Sequence, residues 1–256
     1  MDGPSEPTPS KADHRPTGGA LTVGGALLAL AVATGCASGG AFDEPEEKAF
    51  DDIPELLLVE VEDADLELVP ADTEQIRVTR EETGAAGGDW DLEGDTLTLE
   101  ADCGTLTDCE VRYEVALPAD TALSVQASGG TTTVSDFTAP VEVSTGNGPV
   151  RVSSVRGPLT LTSGNGDLHV EEAGPESLMA ATDNGTIDAR FSEAPSEVEI
   201  STNNGDATVA LPGGPYAVFE TVGNGEIRSE IPVDDSGDST VTARTDTGTI
   251  ALVSTG

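Results

Sequence analysis

The chain of 256 residues carries 48 acidic side chains against 11 Lys and Arg, a formal net charge of -37, with one Trp, two Tyr, five Phe and three Cys. A surface this negative repels phosphate backbones and anionic headgroups, which excludes nucleic-acid binding and adsorption to a membrane through a basic patch. Hydrophobic residues make up 36% and include many Ala and Val, which argues against a large three-layer α/β core.

Ala20 to Thr34 form an uncharged apolar run with Lys11 and Arg15 upstream and Gly35-Cys36 directly after it. This is the layout of a secretory signal, and the run falls short of the roughly 20 apolar residues a spanning helix needs. Ala33-Thr34-Gly35-Cys36 resembles the bacterial lipobox, in which the Cys receives a thioether-linked diacylglycerol and the chain is cut before it; Ala33 stands where Leu is usual. The resemblance implies a lipoprotein-type signal peptide over residues 1–35, a lipidated Cys36, and attachment to the outer face of the bacterial cell membrane. Two or more acyl chains give stable anchoring, which one does not. Residues 36–55 are small, acidic and Pro-containing without sustained periodicity, and read as a flexible tether.

From residue 56 the hydrophobic period is two. Leu57-Leu58-Val59-Glu60-Val61 and Leu66-Glu67-Leu68 alternate around Asp63-Ala64-Asp65, followed by strand-like Gln75–Val78, Asp95–Leu99 and Val111–Val115. Cys103 and Cys109 lie between the last two. An exported pair in an oxidising compartment is expected to bridge. Their spacing fits no usual zinc pattern, and cleavage before Cys36 leaves His169 as the one histidine, so neither a metal nor a cofactor is expected.

From Leu123 onward the sequence aligns with itself. Segments beginning LSVQASGGTTTV, VEVSTGNGPVRV, LTLTSGNGDLHV, LMAATDNGTIDA, VEISTNNGDATV, VFETVGNGEIRS and VTARTDTGTIAL place matching glycines at 130, 148, 166, 185, 205, 225 and 248, spaced 18–23 residues apart. Repeats of this length point to a solenoid or array. Within each unit short alternating stretches flank the Gly, so a unit is strand, tight corner, strand and looser turn. No window downstream of the signal carries a helical stripe, and the class is all-β. The corner pairs Asn147-Gly148, Asn165-Gly166, Asn184-Gly185, Asn204-Gly205 and Asn224-Gly225 tolerate positive φ. Asn-Gly also favours hairpins, so an antiparallel β meander is the alternative. A β-helix-like single-chain solenoid of about seven coils explains more, because the repeated Asn is then a stacked amide ladder. Residues 56–122 read as its degenerate N-terminal cap, with Trp90 and the Cys103–Cys109 loop taking part, and residues 123–256 as the regular repeats.

The lipobox-like start, the strand pair ending in a Cys-bounded loop and the repeated Thr/Ser-Gly-Asn-Gly-x-Val/Leu-x-Val units together resemble the bacterial domain-of-unknown-function family of β-strand-repeat "putative adhesins", over about residues 56–256. The resemblance implies a solenoid and a surface lipoprotein setting, and says almost nothing about activity. Asp65 in place of Gly in the first unit, and Gly129 and Thr247 in place of Asn in outer repeats, depart from the pattern.

Candidate chemistry is sparse. His169 falls on the outward side of its strand with no nucleophile motif near it, and reads as a solvated surface histidine. Carboxylates are abundant enough for a glycan-active β-helix enzyme, but such sites concentrate groups in a cleft with aromatic rings nearby, and the aromatics here are dispersed, Phe219 pointing outward. Gly166-Asp167 and Gly205-Asp206 are similar to the turns of calcium-binding β-rolls, yet the residue after the repeat Gly is acidic only at Asp167, Asp206 and Glu226, so no built-in ion array is expected. The expectation is a non-catalytic, lipid-anchored surface module whose partners are the membrane, through its lipid, and an unidentified cell-envelope or surface protein or glycan.

Overall fold

The structure is a computed structural model that describes residues 44–84, 87–103 and 109–255; the signal segment and Cys36 lie outside the described residues. Among the described residues there is no helix, and none of them form a helix long and apolar enough to cross a membrane. The N-terminal part holds β1 (Glu46–Phe50), β2 (Leu56–Glu62), β3 (Asp65–Pro70), β4 (Ile76–Thr83), β5 (Trp90–Glu93), β6 (Thr96–Glu100) and β7 (Glu110–Leu117). The repeats supply pairs of strands: β8 (Ala122–Ala127) with β9 (Thr132–Ser135), β10 (Val141–Asn147) with β11 (Val150–Ser153), and β12 (Leu159–Asn165) with β13 (Leu168–Ala173). They continue as β14 (Ser177–Asn184) with β15 (Ile187–Phe191) and β16 (Glu197–Asn204) with β17 (Ala207–Leu211), and end in two long strands, β18 (Ala217–Ser229) and β19 (Thr240–Ser254).

The repeat strands stack in parallel and in register, which settles the architecture as a β-solenoid and excludes the meander. Val141 faces both Leu123 and Leu159, Leu178 faces both Leu159 and Val198, and Asn147, Asn165, Asn184 and Asn204 follow one another in register. The second strand of each unit forms a second ladder, with Val150 between Thr132 and Leu168 and Ile187 between Leu168 and Ala207. A third side is loop, yet it also stacks: the amides of Arg156, Gly174 and Ser192 donate to the carbonyls of Phe137, Val155 and Ala173. Alternation accounts for the core. Val141, Val143, Leu159, Leu161, Val198 and Ile200 are buried, while Glu142, Thr162 and Glu199 between or beside them face outward. Each coil buries apolar side chains on the inside of all three sides, Phe137, Val155 and Phe191 filling the third.

Coil order departs from simple succession at both ends. β19 is inserted between β16/β17 and β18, so Val241 faces Val198 on one side and Val218 on the other. Asn204 therefore stacks on Thr247, and Asn224 stacks on the far side of Thr247 instead of on Asn204. At the other end β2/β3 sit directly on β8/β9, and β6/β7 lie outside them. The corner of that first coil also corrects the alignment: Ala64, not Asp65, stands at the glycine position, since a Cβ on Gly130 would lie 2.1 Å from the Ala64 carbonyl oxygen.

The cap is antiparallel. β4 pairs with β7, β1 with β4 and β5 with β6. β1 falls within the segment expected to be a flexible tether; Glu46–Phe50 instead forms a strand because Phe50 and Ile53 pack on the core and Lys48 lies 4.4 Å over the Trp90 ring while donating to the Trp90 carbonyl. Trp90 in turn packs on Tyr113, ring centroids 6.2 Å apart, and the Tyr113 hydroxyl donates to the Glu100 carbonyl at 2.6 Å. Burial, ahead of neighbouring carboxylates, pushes the Tyr113 phenol up to about 12, with Arg80 acting in the opposite direction. Arg80 is itself buried, pairing with Glu82 at 2.7 Å and donating to the Gly87 carbonyl at 2.9 Å, which ties the β4–β5 connection to the cap.

Candidate functional site

The residues singled out by the repeat meet at one corner of the solenoid. Asn165 Nδ2 donates to Asn147 Oδ1 at 3.1 Å, Asn184 to Asn165 at 2.9 Å, and Asn204 to Asn184 at 3.1 Å. Inside the same corner runs a column of buried hydroxyls. Thr182, Thr202 and Thr245 donate to the carbonyls of Gly166, Gly185 and Gly205 at 3.0–3.1 Å, so the oxygen of each glycine is held from within the next coil. The glycines themselves are required by close approach. A Cβ on Gly185 would lie 2.2 Å from the Gly166 oxygen, and on Gly205 1.9 Å from the Gly185 oxygen.

The acidic corner residues have a structural partner. Asp65 Oδ1 accepts the Thr131 amide at 2.7 Å, Asp167 the Thr186 amide at 2.8 Å, and Asp206 the Thr249 amide at 2.7 Å. Each is the residue after the glycine position, bonded to its counterpart in the adjacent coil. An Asp and a Thr at this position form a complementary pair between coils, which sequence reasoning missed; the alternation of Asp167, Thr186, Asp206 and, after the change in coil order, Thr249 was the available signal. Their carboxylates thus serve the stacking and do not converge on an ion. No group of three or more His, Cys, Asp or Glu able to hold a metal occurs among the described residues.

Two surface depressions gather polar groups. The first, about 550 Å³, runs along the third side and is lined by Asp136, Ser154, Arg156, Glu172 and Glu193. Asp136, Ser154 and Glu172 turn the chain there with φ of 60°, 56° and 49°. Acids are present, but no aromatic ring lines it for stacking a sugar. The second, about 460 Å³, contains Arg151, Ser153, His169 and Glu171. In the ladder His169 lies beside Arg151 on one coil and Asp188 on the other, and Ser153 is its diagonal neighbour. Among the described residues, no hydrogen bond joins the His169 ring to Ser153 or Glu171.

The cysteines Cys103 and Cys109 are joined by a disulfide with Cα atoms 5.5 Å apart, next to the cap. At the opposite end, β18 presents Phe219 and Ile227, 61% and 44% exposed. Glu220, on the same strand, has a carboxylate oxygen shielded from solvent with no hydrogen-bond partner, and burial pushes its carboxyl above the usual range.

The family model described as Toastrack DUF4097 matches residues 115–253. Among solved structures the chain is similar to a "putative adhesin" from Parabacteroides merdae ATCC 43184, at 13% identity over 82% of this chain and 96% of that one, with a TM-score of 0.48. A "putative adhesin" from Bacteroides fragilis NCTC 9343 is similar at 11% identity over 82% and 97%, TM-score 0.46. A "putative cell adhesion protein" from Clostridium sporogenes ATCC 15579 is similar at 12% identity over 82% and 100%, TM-score 0.35. No curated protein matches the chain. With the family model spanning more than half of the sequence, the chain belongs to the Toastrack DUF4097 family.

Proposed function

We propose that this protein is a lipid-anchored display scaffold on the outer face of a bacterial cell membrane, with no catalytic role of its own. Residues 1–35 act as the signal peptide, Cys36 carries the lipid, and residues 36–45 form a tether shortened by β1. The solenoid presents its outward ladders to a cell-envelope or surface protein or glycan. The observation that carries this reading is Gly35-Cys36 at the end of the one long apolar run, Ala20–Thr34. The acidic surface supports it, since a net charge of -37 opposes adsorption to anionic headgroups and leaves attachment to the lipid. The employment of the corner Asn, Asp and Thr side chains in coil-to-coil bonds supports a structural rather than chemical use of the repeat. Cys36→Ala should release the protein from the membrane fraction or trap its uncut precursor; retention of a cut form at the wild-type level refutes the reading.

A further inference from the structure

The two ends of the solenoid are finished differently. At the N-terminal end the outermost strands are short and antiparallel, β5 with four residues and β1 with five, and β1 presents Glu46, Glu47 and Lys48. Short, charged edge strands of this kind prevent pairing with another chain. At the C-terminal end the outermost strand is β18, thirteen residues long, and among the described residues it pairs with β19 and no other strand. Its inward register positions are Val218, Glu220, Val222, Ile227 and Ser229, opposite the buried Val241, Ala243, Thr245, Ile250 and Leu252. The end of the core is therefore covered by one layer only, leaving Ile227, an inward residue, 44% exposed.

We propose that this end is a self-association surface, on which β18 pairs antiparallel with β18 of a second copy about a twofold axis through the Asn224-Gly225 corner. The corner fixes the register. The bend between the two halves of β18 shifts the parity of inward positions, from 218, 220 and 222 to 227 and 229. Superposing the two bends sets Asn224 against Gly225 of the partner copy, and this brings inward residues opposite inward residues on both sides. Val222 then faces Ile227, and Glu220 faces Ser229, whose hydroxyl can donate to the carboxylate oxygen that has no partner in the single chain; the pairing stops short of Tyr216, whose backbone bonds Pro232 and Asp234 of its own chain. On the outer face Thr221 meets Arg228 and Phe219 meets Glu230. No two like charges stand opposite each other, although the strand carries Glu220, Glu226 and Arg228. An inward carboxylate on an edge strand deters indiscriminate pairing; here it rejects a partner that offers an apolar residue and accepts one that offers a hydroxyl, which is discrimination by an unpaired polar group. An isologous interface of this kind closes after two copies and cannot propagate, because the other end is blunted.

The inference is independent of the lipid reading and is tested in a full-length Cys36→Ser background, where Cys103 and Cys109 are bridged and one added Cys is the sole free thiol. Chains carrying Thr221→Cys are mixed with chains carrying Arg228→Cys under mild oxidation. Directly opposed residues in an antiparallel pair have Cα atoms about 4.5–5.5 Å apart, within disulfide range. The mixture should give covalent dimer and each variant alone essentially none. The yield should rise several-fold from low to moderate NaCl as repulsion between the two acidic copies is screened. Adding Ile227→Asp, a half-exposed site where folding is checked by circular dichroism, should cut the yield at least tenfold. Equal cross-linking by the single variants, no cross-linking in the mixture at high concentration, or insensitivity to Ile227→Asp in folded protein would each overturn the proposal. So would stoichiometric capture of a basic strand-forming peptide probe by this end without dimer formation.

Discussion

Replacing Gly185 by Ala probes the packing of coil on coil. The new Cβ would stand 2.2 Å from the Gly166 oxygen and 2.7 Å from its carbonyl carbon, where ordinary contact begins at 3.4 Å, so the two coils must part locally by about 1 Å. Two amide bonds bracket the site, Gly185 to the Asn204 oxygen and Gly166 to the Asn184 oxygen, both 3.1 Å. Losing or stretching them costs about 1 kcal/mol each, and forced overpacking adds roughly 1–3 kcal/mol. The total is about 3–5 kcal/mol, which for a domain of this size corresponds to a fall in melting temperature on the order of 10 °C. Gly213→Ala is the matched control. Its Cβ meets nothing within 4 Å, so the change should be neutral or stabilise by up to about 1 kcal/mol through the unfolded chain. Urea and thermal unfolding followed by circular dichroism read both variants. A Gly185→Ala protein within about 1 kcal/mol of wild type would refute the claim that the glycine is demanded by the approach of the neighbouring coil.

Two further outcomes are expected. Because 48 acidic residues face only 11 Lys and Arg, screening should stabilise the fold, and the melting temperature should rise from low to molar NaCl; an unchanged value would contradict this. The Tyr113 phenol, pushed up to about 12 chiefly by burial, favours its neutral form in the fold. Its contribution to stability is thus complete below the unfolded value near 10 and is lost as the pH climbs from there towards about 12. Phenolate absorbance should therefore lag behind that of free tyrosine until the protein unfolds in alkali, Tyr216 being raised by burial as well; ionisation of both at the ordinary value in folded protein would be the contrary result.

Much of the solenoid is legible in the sequence because its signals are local. Alternation such as Val141-Glu142-Val143 assigns inside and outside, and a glycine every 18–23 residues marks where one backbone crosses close to the next. The order of the coils is not local. Every coil offers a similar apolar inside, so nothing in the pattern of Thr240–Ser254 says that it stacks on β16/β17 before β18 does. One residue did carry the information: Glu220 occupies an inward position, and a carboxylate there is tolerable only on the outermost layer. The same limit explains β1. Lys48 reads as a solvated charge until Trp90, far along the chain, supplies the ring and the carbonyl that hold it. At the corner, Asp167 and Asp206 looked like candidates for an ion because the amides they accept come from the next coil, a partner that spacing along the chain does not reveal.

The parallel stack with its intercalated last coil is tested directly by one cross-linking measurement. Glu199 and Thr242 are register partners on the outer face, as are Thr242 and Phe219, whereas Glu199 and Phe219 are separated by two strand spacings, about 9.6 Å. Paired cysteines at 199 and 242 should form an intrachain disulfide readily, and cysteines at 199 and 219 should not, since Cα atoms more than about 7 Å apart cannot be bridged without backbone movement. Ready closure of the 199–219 pair with failure of the 199–242 pair would place β18 directly on β16 and contradict the structure.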